Sequence, residues 1–581
     1  MDSVGAAQIA LPLPPSAPGS TTSSRAAPAA DENPIAGHAD HRYIRGSSLL
    51  VAGRLISILL NFVVQVVTVR YLSKADFGVF AYALAVVALG SSAVQLGLDK
   101  SIPRLVPIYY EKGEYSRIFG AIALSTAAIW GLSIALVAVL YGVQSAYGGI
   151  SVSDPRSLSV LIILIALSPV GAYTCVLERL VAIFSSPRAI FFRRHILAPG
   201  LKLAAVVVVV LSSGGVYLLA YGYLVGGLIG VAVYVAILGR EWRSRGLLQH
   251  ARARNLAWPA RELFGFSLPL VTTDLLMIMR TSFVVIVLER FHSTGAVAEY
   301  RAVFPVAALN MLAFEAFMNL FVPLASRMFA RQQMAEINRL YWKTSAWIAV
   351  LTFPMFALTC ALAEPLTVLL FGPKYAGAGT LLSILAVGHY VHAALGFNAA
   401  SLRVHGKLQL IVMTDVLAAL FALALSLILI PRYGAIGAAV STAATLVLYN
   451  VFAQVSLSIG STGIEVLERP FARILGIVSA LTAGLVVIQQ LLSPSVYVGV
   501  ALVGVVSLVV LRLTRRALNP EESFPELLRI PLVRHLVAPH AGRRPRTAGV
   551  GAASGRAPHS PRAAAPDEHS PRHQAAGGSL T

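Results

Sequence analysis

Between about residue 47 and residue 516 the chain is a series of apolar runs, each about 20 residues long and closed by a short polar or glycine-bearing break. A run of that length, wound as a helix, matches the hydrocarbon thickness of a bilayer. About fourteen can be placed, centred near residues 58, 88, 130, 168, 205, 227, 276, 312, 357, 388, 419, 446, 481 and 503. Lipid offers the backbone no hydrogen-bond partner, so each run must satisfy its own groups and be helical. The short alternating segments of a membrane β-barrel do not occur in the sequence. The pattern predicts an all-α polytopic membrane protein with about 14 transmembrane helices. Residues 405–448 are the most informative: one apolar run ends in PRYGAIG and the next begins at once. That spacing predicts two spans joined by a very short polar tip.

Compared with itself at a shift of about 218 residues, the chain repeats. VTVRYLSKADFGVFAYALAVVAL at 67–89 lies over VIVLERFHSTGAVAEYRAVFPVAAL at 285–309, with Tyr82 against Tyr300. The tip at Ser212–Gly215 returns near Pro431–Gly434. Six spans is an even number, so both copies insert in the same direction as parallel repeats, with a substrate site expected between them. The expected organisation is a tail at 1–42, an N-lobe of spans 1–6 at 43–240 and a linker at 241–262. A C-lobe of spans 7–12 follows at 263–460, then two extra spans at 461–516 and a second tail at 517–581.

Composition agrees: 57% of residues are hydrophobic, 12% are charged, and mean hydropathy is +0.74. The tails are rich in Ala, Pro, Ser and Gly, with added Arg and His at the C-terminal end, and are expected to be disordered. The first has no basic segment followed by an apolar core, so the first span is expected to act as an uncleaved anchor. The formal charge of +20 would suit nucleic acid, but its placement along the chain does not. Alternate inter-span segments carry about 24 Lys and Arg, counting Lys100 and Arg193, against about 7 in the others. This is the positive-inside pattern, and it places both termini in the cytoplasm without a nucleic-acid partner. Cys175 and Cys360 fall within spans and read as small buried apolar residues.

Polar side chains within the spans are costly and mark cavities or pairs. In the first span Arg54, Ser57, Asn61, Gln65 and Thr68 lie within about 80° of one another on a helical wheel. They predict a wet stripe whose Arg54 offers a two-pronged donor to phosphate, or else an Arg54 that reaches back to the headgroups. In the seventh span Ser267, Asp274 and Thr281 share a face that Arg280 does not. Asp274 reads as the partner of an arginine across a cavity, as an H⁺ or Na⁺ carrier, or as a group at a kink near Pro269. Arg280 lies too deep to reach water cheaply. Lys202, the Glu315/Asn319 pair, His389, His392, Asn398 and Asp415 complete the set. The two histidines lack a third ligand at motif spacing, so hydrogen bonding between helices is expected rather than metal.

The sequence carries no phosphate-binding lysine loop, nucleophile elbow or zinc-protease motif. Nor does it have a large outer loop to house a catalytic domain. The expectation is a transporter without cofactor or metal, driven by a gradient or by consumption of its product. RYLSKADFGVFAYALAV (70–86), LFGFSLPL (263–270), FGPKYAGAGTLLSILAVG (371–388) and LILIPRYGAIGAAVSTA (427–443) together resemble polysaccharide flippases of the Wzx type. Their superfamily also contains multidrug and toxin extrusion transporters and lipid II flippases. The resemblance covers about 45–515 and implies two six-helix lobes in a V around a central cavity. It implies alternating-access movement of undecaprenyl-pyrophosphate-linked oligosaccharide across the bacterial inner membrane, for surface or exopolysaccharide synthesis. The implied partners are lipid-linked oligosaccharide, membrane lipids, and polysaccharide polymerase and chain-length machinery. Under that reading Arg54, Arg280 and Lys202 attract the diphosphate while Asn61, Gln65 and Asn319 meet sugar hydroxyls. Asp274 and Glu315 complete the cavity set. A multidrug or cation antiporter, a lipid II flippase, and a glycan polymerase or ligase are the other readings.

Overall fold

The computed structural model describes residues 34–146, 154–185, 191–251, 256–459 and 462–518. The expected disorder of the tails falls largely outside the described residues. Among the described residues the regular structure is helical, without a strand. The N-lobe comprises α1 (Pro34–Tyr71), α2 (Lys74–Gln95), α3 (Leu98–Glu111), α4 (Tyr115–Ala146), α5 (Pro155–Ile165), α6 (Leu167–Phe184), α7 (Ala198–Leu211) and α8 (Val216–Ser244). The C-lobe comprises α9 (Ala260–Phe291), α10 (Thr294–Ala308), α11 (Leu312–Ala330), α12 (Met334–Ala361), α13 (Ala363–Phe371), α14 (Ala378–Leu395), α15 (Phe397–Val404) and α16 (Leu408–Ile459). Two further helices, α17 (Arg469–Leu492) and α18 (Val496–Leu518), pack against α12.

Among the described residues, twelve helical stretches are long and apolar enough to cross a membrane. One of these, α16, is two crossings, and the polar-bearing α9 is long enough for another, which yields the fourteen expected. The reversal in α16 falls at Gly434, whose φ of 56° suits a residue without a Cβ. It brings Ser426 Oγ to 2.9 Å from Ser441 Oγ, although an unbroken helix would hold them about 22 Å apart. The ring of His292, at the end of α9, packs on Gly434, and its Nε2 lies 2.7 Å from the Ile430 carbonyl. Thus PRYGAIG forms the tight tip that its sequence predicts. We call "outer" the end carrying this tip, following the positive-inside pattern.

The repeat is visible in the helix boundaries. Ser73 caps α2 by accepting the Asp76 N–H at 3.1 Å, and Ser293 caps α10 by accepting the Ala296 N–H at 3.3 Å. In both lobes the second span is broken, at Leu96–Gly97 and again at Leu309–Met311, and so is the fourth, at Ala166 and at Gly396. The capping serines are 220 residues apart, so Tyr82 stands two positions from the equivalent of Tyr300.

Packing differs between the two ends. In the outer half one apolar cluster runs through both lobes, joining Val69 and Phe80 to Val285, Tyr300, Phe371 and Leu382. A second cluster fills the inner half of the N-lobe around Leu98, Val106, Leu180 and Tyr234. Within FGPKYAGAGTLLSILAVG the glycines are points of close approach. A Cβ on Gly379 would lie 2.6 Å from Glu364 Cα, and one on Gly388 would lie 2.6 Å from Ala443 Cα. Gly388→Val must therefore push α14 off α16. It is expected to cost about 1–3 kcal/mol, read as a lowered unfolding temperature of the detergent-purified protein.

Candidate functional site

The lobes meet unequally along their two seams. On one, α2 and α3 pack along α9, and α2 packs on α10. At the outer end Gly78 allows this: a Cβ there would stand 1.8 Å from the Thr294 carbonyl oxygen. Lys74 pairs with Glu299 beside it. Farther inward Lys100 of α3 holds Asp274 of α9 at 2.5 Å, and the Tyr109 hydroxyl donates to Glu262 at 2.5 Å. The Arg104 guanidinium lies 4.2 Å from the centre of the Phe266 ring. Lys100 therefore belongs to the interlobe seam and not to an inner loop.

The pseudo-equivalent seam, α1 against α10 and α11, is closed only near the outer end. There the Gln65 side-chain amide donates to the Arg301 carbonyl at 3.2 Å. The Lys374 ammonium, from the PKY turn, donates to the carbonyls of Leu72 at 2.6 Å and Arg70 at 3.1 Å. Among the described residues inward of Gln65, α1 and α11 make no extended helix-on-helix contact. Two side chains cross the gap: Arg54 of the N-lobe and Glu315 of the C-lobe form an ion pair. Each side chain remains nearly half exposed, at 49% and 42%. Arg54 stands about 25 Å of helix rise from the outer end of α1, in the inner part of the span. Asn61, about two helix turns outward of Arg54, and Asn319, about one turn inward of Glu315, are also exposed. The Asn61 amide donates back to the Ser57 carbonyl at 2.7 Å.

Two cavities flank the seams. In the C-lobe a cavity of about 330 Å³ is lined by Arg280, Thr281, Glu315, His392 and Tyr449. Arg280 lies 3.8 Å from Asp415 and 5.2 Å from the centre of the Tyr449 ring. His392 Nδ1 is 2.9 Å from the Asn450 amide, which makes it a helix-to-helix tie. The N-lobe cavity, about 440 Å³, is lined by Lys202, Arg193, Arg194, Glu178 and Tyr223. Arg193 is buried there with its guanidinium 4.0 Å from the Tyr234 ring centre, and Arg194 holds Glu178 at 3.0 Å. Gly222, Gly226 and Gly227 on α8 leave the space this cavity occupies.

The residues expected from the sequence thus occupy five places. Arg54 and Glu315 meet across the open seam, flanked by Asn61 and Asn319. Gln65 belongs to the outer closure, and Asp274 to the packed seam with a lysine instead of the arginine expected. Arg280 faces the C-lobe cavity, and Lys202 the N-lobe cavity. α9 runs unbroken past Pro269, whose side chain is outside the described residues. Sequence reasoning missed Lys100 as a partner and Glu178 and Arg193 as cavity groups. The signal available was their position several residues inside apolar runs.

Chemically, the open seam presents a cation held by an anion that a stronger anionic ligand can displace. Lys202 and Arg193 add cationic walls in the N-lobe. Among the described residues no group of three or more His, Cys, Asp or Glu side chains is placed to hold a metal.

Comparison with known proteins places this architecture. The family model described as "Polysaccharide biosynthesis protein" matches residues 67–380, more than half of the chain. An uncharacterized membrane protein of Methanocaldococcus jannaschii is 21% identical over 421 residues, covering 69% of this chain and 80% of the other. Among solved structures, the lipid II flippase MurJ in an inward closed conformation aligns with a TM-score of 0.61 at 14% identity, covering 81% of this chain and 99% of that one. An inward-facing multidrug resistance MATE family transporter of the MOP superfamily aligns with a TM-score of 0.55 at 13% identity, covering 70% and 93%. The family match and the shared fold bear out the resemblance to Wzx-type polysaccharide flippases. This multi-pass membrane protein, with the two-lobed transporter fold, belongs to the polysaccharide biosynthesis protein family.

Proposed function

We propose that the protein translocates lipid-linked oligosaccharide from the cytoplasmic to the outer leaflet of a bacterial inner membrane, by alternating access and without catalysing a covalent step. The observation that carries this reading is the open seam between α1 and α11, bridged by the Arg54–Glu315 pair. A polyprenyl-diphosphate sugar has an anionic head that hydrocarbon excludes and an apolar tail that has no need to leave it. A seam open to lipid, with an exposed arginine in its inner part, suits both. The diphosphate displaces Glu315 from Arg54, because it offers the guanidinium more acceptor oxygens and more charge. Asn61 and Asn319 then face the sugar. Lys202 and Arg280 supply positive charge in the two lobes as the head passes. The outer ends of both seams, closed by Gln65, Lys374 and the Lys74–Glu299 pair, open, while Lys100–Asp274 and Tyr109–Glu262 hold the packed seam farther inward.

A cation antiporter of this fold needs carboxylates free to take up its substrate. Here Asp274, Glu315 and Asp415 face Lys100, Arg54 and Arg280 respectively. Polysaccharide polymerase and chain-length proteins are the partners that would consume the product.

The test is reconstitution into liposomes with a fluorescent polyprenyl-diphosphate oligosaccharide and a membrane-impermeant quencher. Movement of the probe between leaflets that depends on the protein supports the reading. A protein that leaves the probe in place but exchanges a drug cation for protons would be an antiporter.

A further inference from the structure

The two helices outside the repeat carry a site of their own. α17 and α18 are antiparallel, so the start of one and the end of the other lie at the same membrane surface. Both are fixed against α12: Phe471 meets the Trp342 ring at 5.0 Å, and Ile474 and Val510 are fully buried. Between their ends a pocket of about 550 Å³ is lined by Arg473 of α17 and by Arg512, Arg515 and Arg516 of α18. Helical spacing gathers the last three, since 512 and 516 are four residues apart and 512 and 515 three.

None of the four makes an ion pair among the described residues, and the preceding Glu465 and Glu468 make none with them. One guanidinium nitrogen of Arg515 is buried without a hydrogen-bond partner. An arginine that serves only to orient a span needs no more than the headgroup layer. Four that converge on one pocket, one with a sequestered and unsatisfied donor, repel one another until an anion is present. Basic pockets between helix ends at the cytoplasmic face suit phosphate headgroups, and guanidinium forks match phosphate oxygens.

We propose that the pocket between the inner ends of α17 and α18 binds the phosphate-ester headgroup of a membrane lipid, with an anionic phospholipid as its resident. Arg473, Arg512, Arg515 and Arg516 are its ligands, and the neighbouring apolar faces of the two helices receive the acyl chains. The site lies on the helix pair outside the two lobes and is independent of the transported substrate.

The test is native mass spectrometry of the full-length protein in detergent with added phosphatidylglycerol, phosphatidylcholine or a polyprenyl diphosphate, each at equal amounts. Wild type is expected to retain phosphatidylglycerol over phosphatidylcholine. Arg512→Gln/Arg515→Gln is expected to reduce that retention about tenfold or more. Arg512→Lys/Arg515→Lys, which keeps the charge and loses the forks, is expected to fall between. Arg327→Gln/Arg331→Gln, a remote pair on the inner side, is expected to leave retention unchanged. Preferential retention of the polyprenyl diphosphate that the Gln variant abolishes would support a phosphate site but name the transported lipid as its source. Equal retention of both phospholipids, or an equal loss in the remote variant, would overturn the proposal.

Discussion

Arg54→Glu is expected to reduce transport about a hundredfold while leaving membrane insertion and expression intact. Glu315→Gln is expected to retain most activity. The asymmetry follows from the proposed exchange of partners. In the resting pair Glu315 only holds the place that the substrate's diphosphate will take, so losing it leaves Arg54 ready for ligand. Reversing Arg54 instead sets two carboxylates against each other in the open seam and removes the fork that receives phosphate. A hundredfold loss is about 2.7 kcal/mol, more than a half-exposed ion pair alone supplies, and here it combines the loss of the phosphate-binding fork with repulsion from Glu315. The measurement is surface glycan restored to a deletion strain by each variant at matched membrane levels. A purely structural salt bridge would instead give similar losses for both.

Cross-linking the outer closure is expected to stop transport completely and reversibly. Lys74 and Glu299 already touch across the lobes, beside the backbone contact that Gly78 permits. Lys74→Cys/Glu299→Cys, joined by a short bifunctional methanethiosulfonate, holds α2 against α10 and prevents the outer end from opening. The native Cys175 and Cys360 lie within spans and are only partly exposed, so each single-cysteine variant serves as a control for their reaction. Reductant should restore the uncross-linked rate. A cross-linked protein that still transports would show that the lobes need not separate at this end, and alternating access through this seam would fail.

The architecture was largely legible because the bilayer imposes a length on every span and a charge bias on every loop. Fourteen apolar runs, the hairpin at Gly434 and the repeat at a shift of about 218 residues all leave marks in one dimension. The site was less so. A helical wheel puts Gln65 on the same face as Arg54 and Asn61, and in the structure Gln65 and Arg54 both meet groups of the C-lobe. It gave no indication that α10 closes over Gln65 at the outer end while α11 stays clear of Arg54. Partner identity was hidden for the same reason. Asp274 called for a cation, and nothing in sequence distance singles out Lys100, 174 residues away on a helix of the other lobe. The ion pairs that join the lobes depend on how the repeats face each other, which hydrophobic period does not encode.

The central claim is that this chain carries lipid-linked oligosaccharide across the membrane, and the most direct measurement is made in a strain lacking it. Inner-membrane polyprenyl-diphosphate oligosaccharide should be extracted and its leaflet determined with an impermeant glycan-modifying enzyme added to spheroplasts and to inverted vesicles. The account predicts complete repeat units confined to the cytoplasmic leaflet, with surface polysaccharide lost and both restored by the wild-type gene. Normal surface polysaccharide, with repeat units reaching the outer leaflet as in the parent, would contradict it.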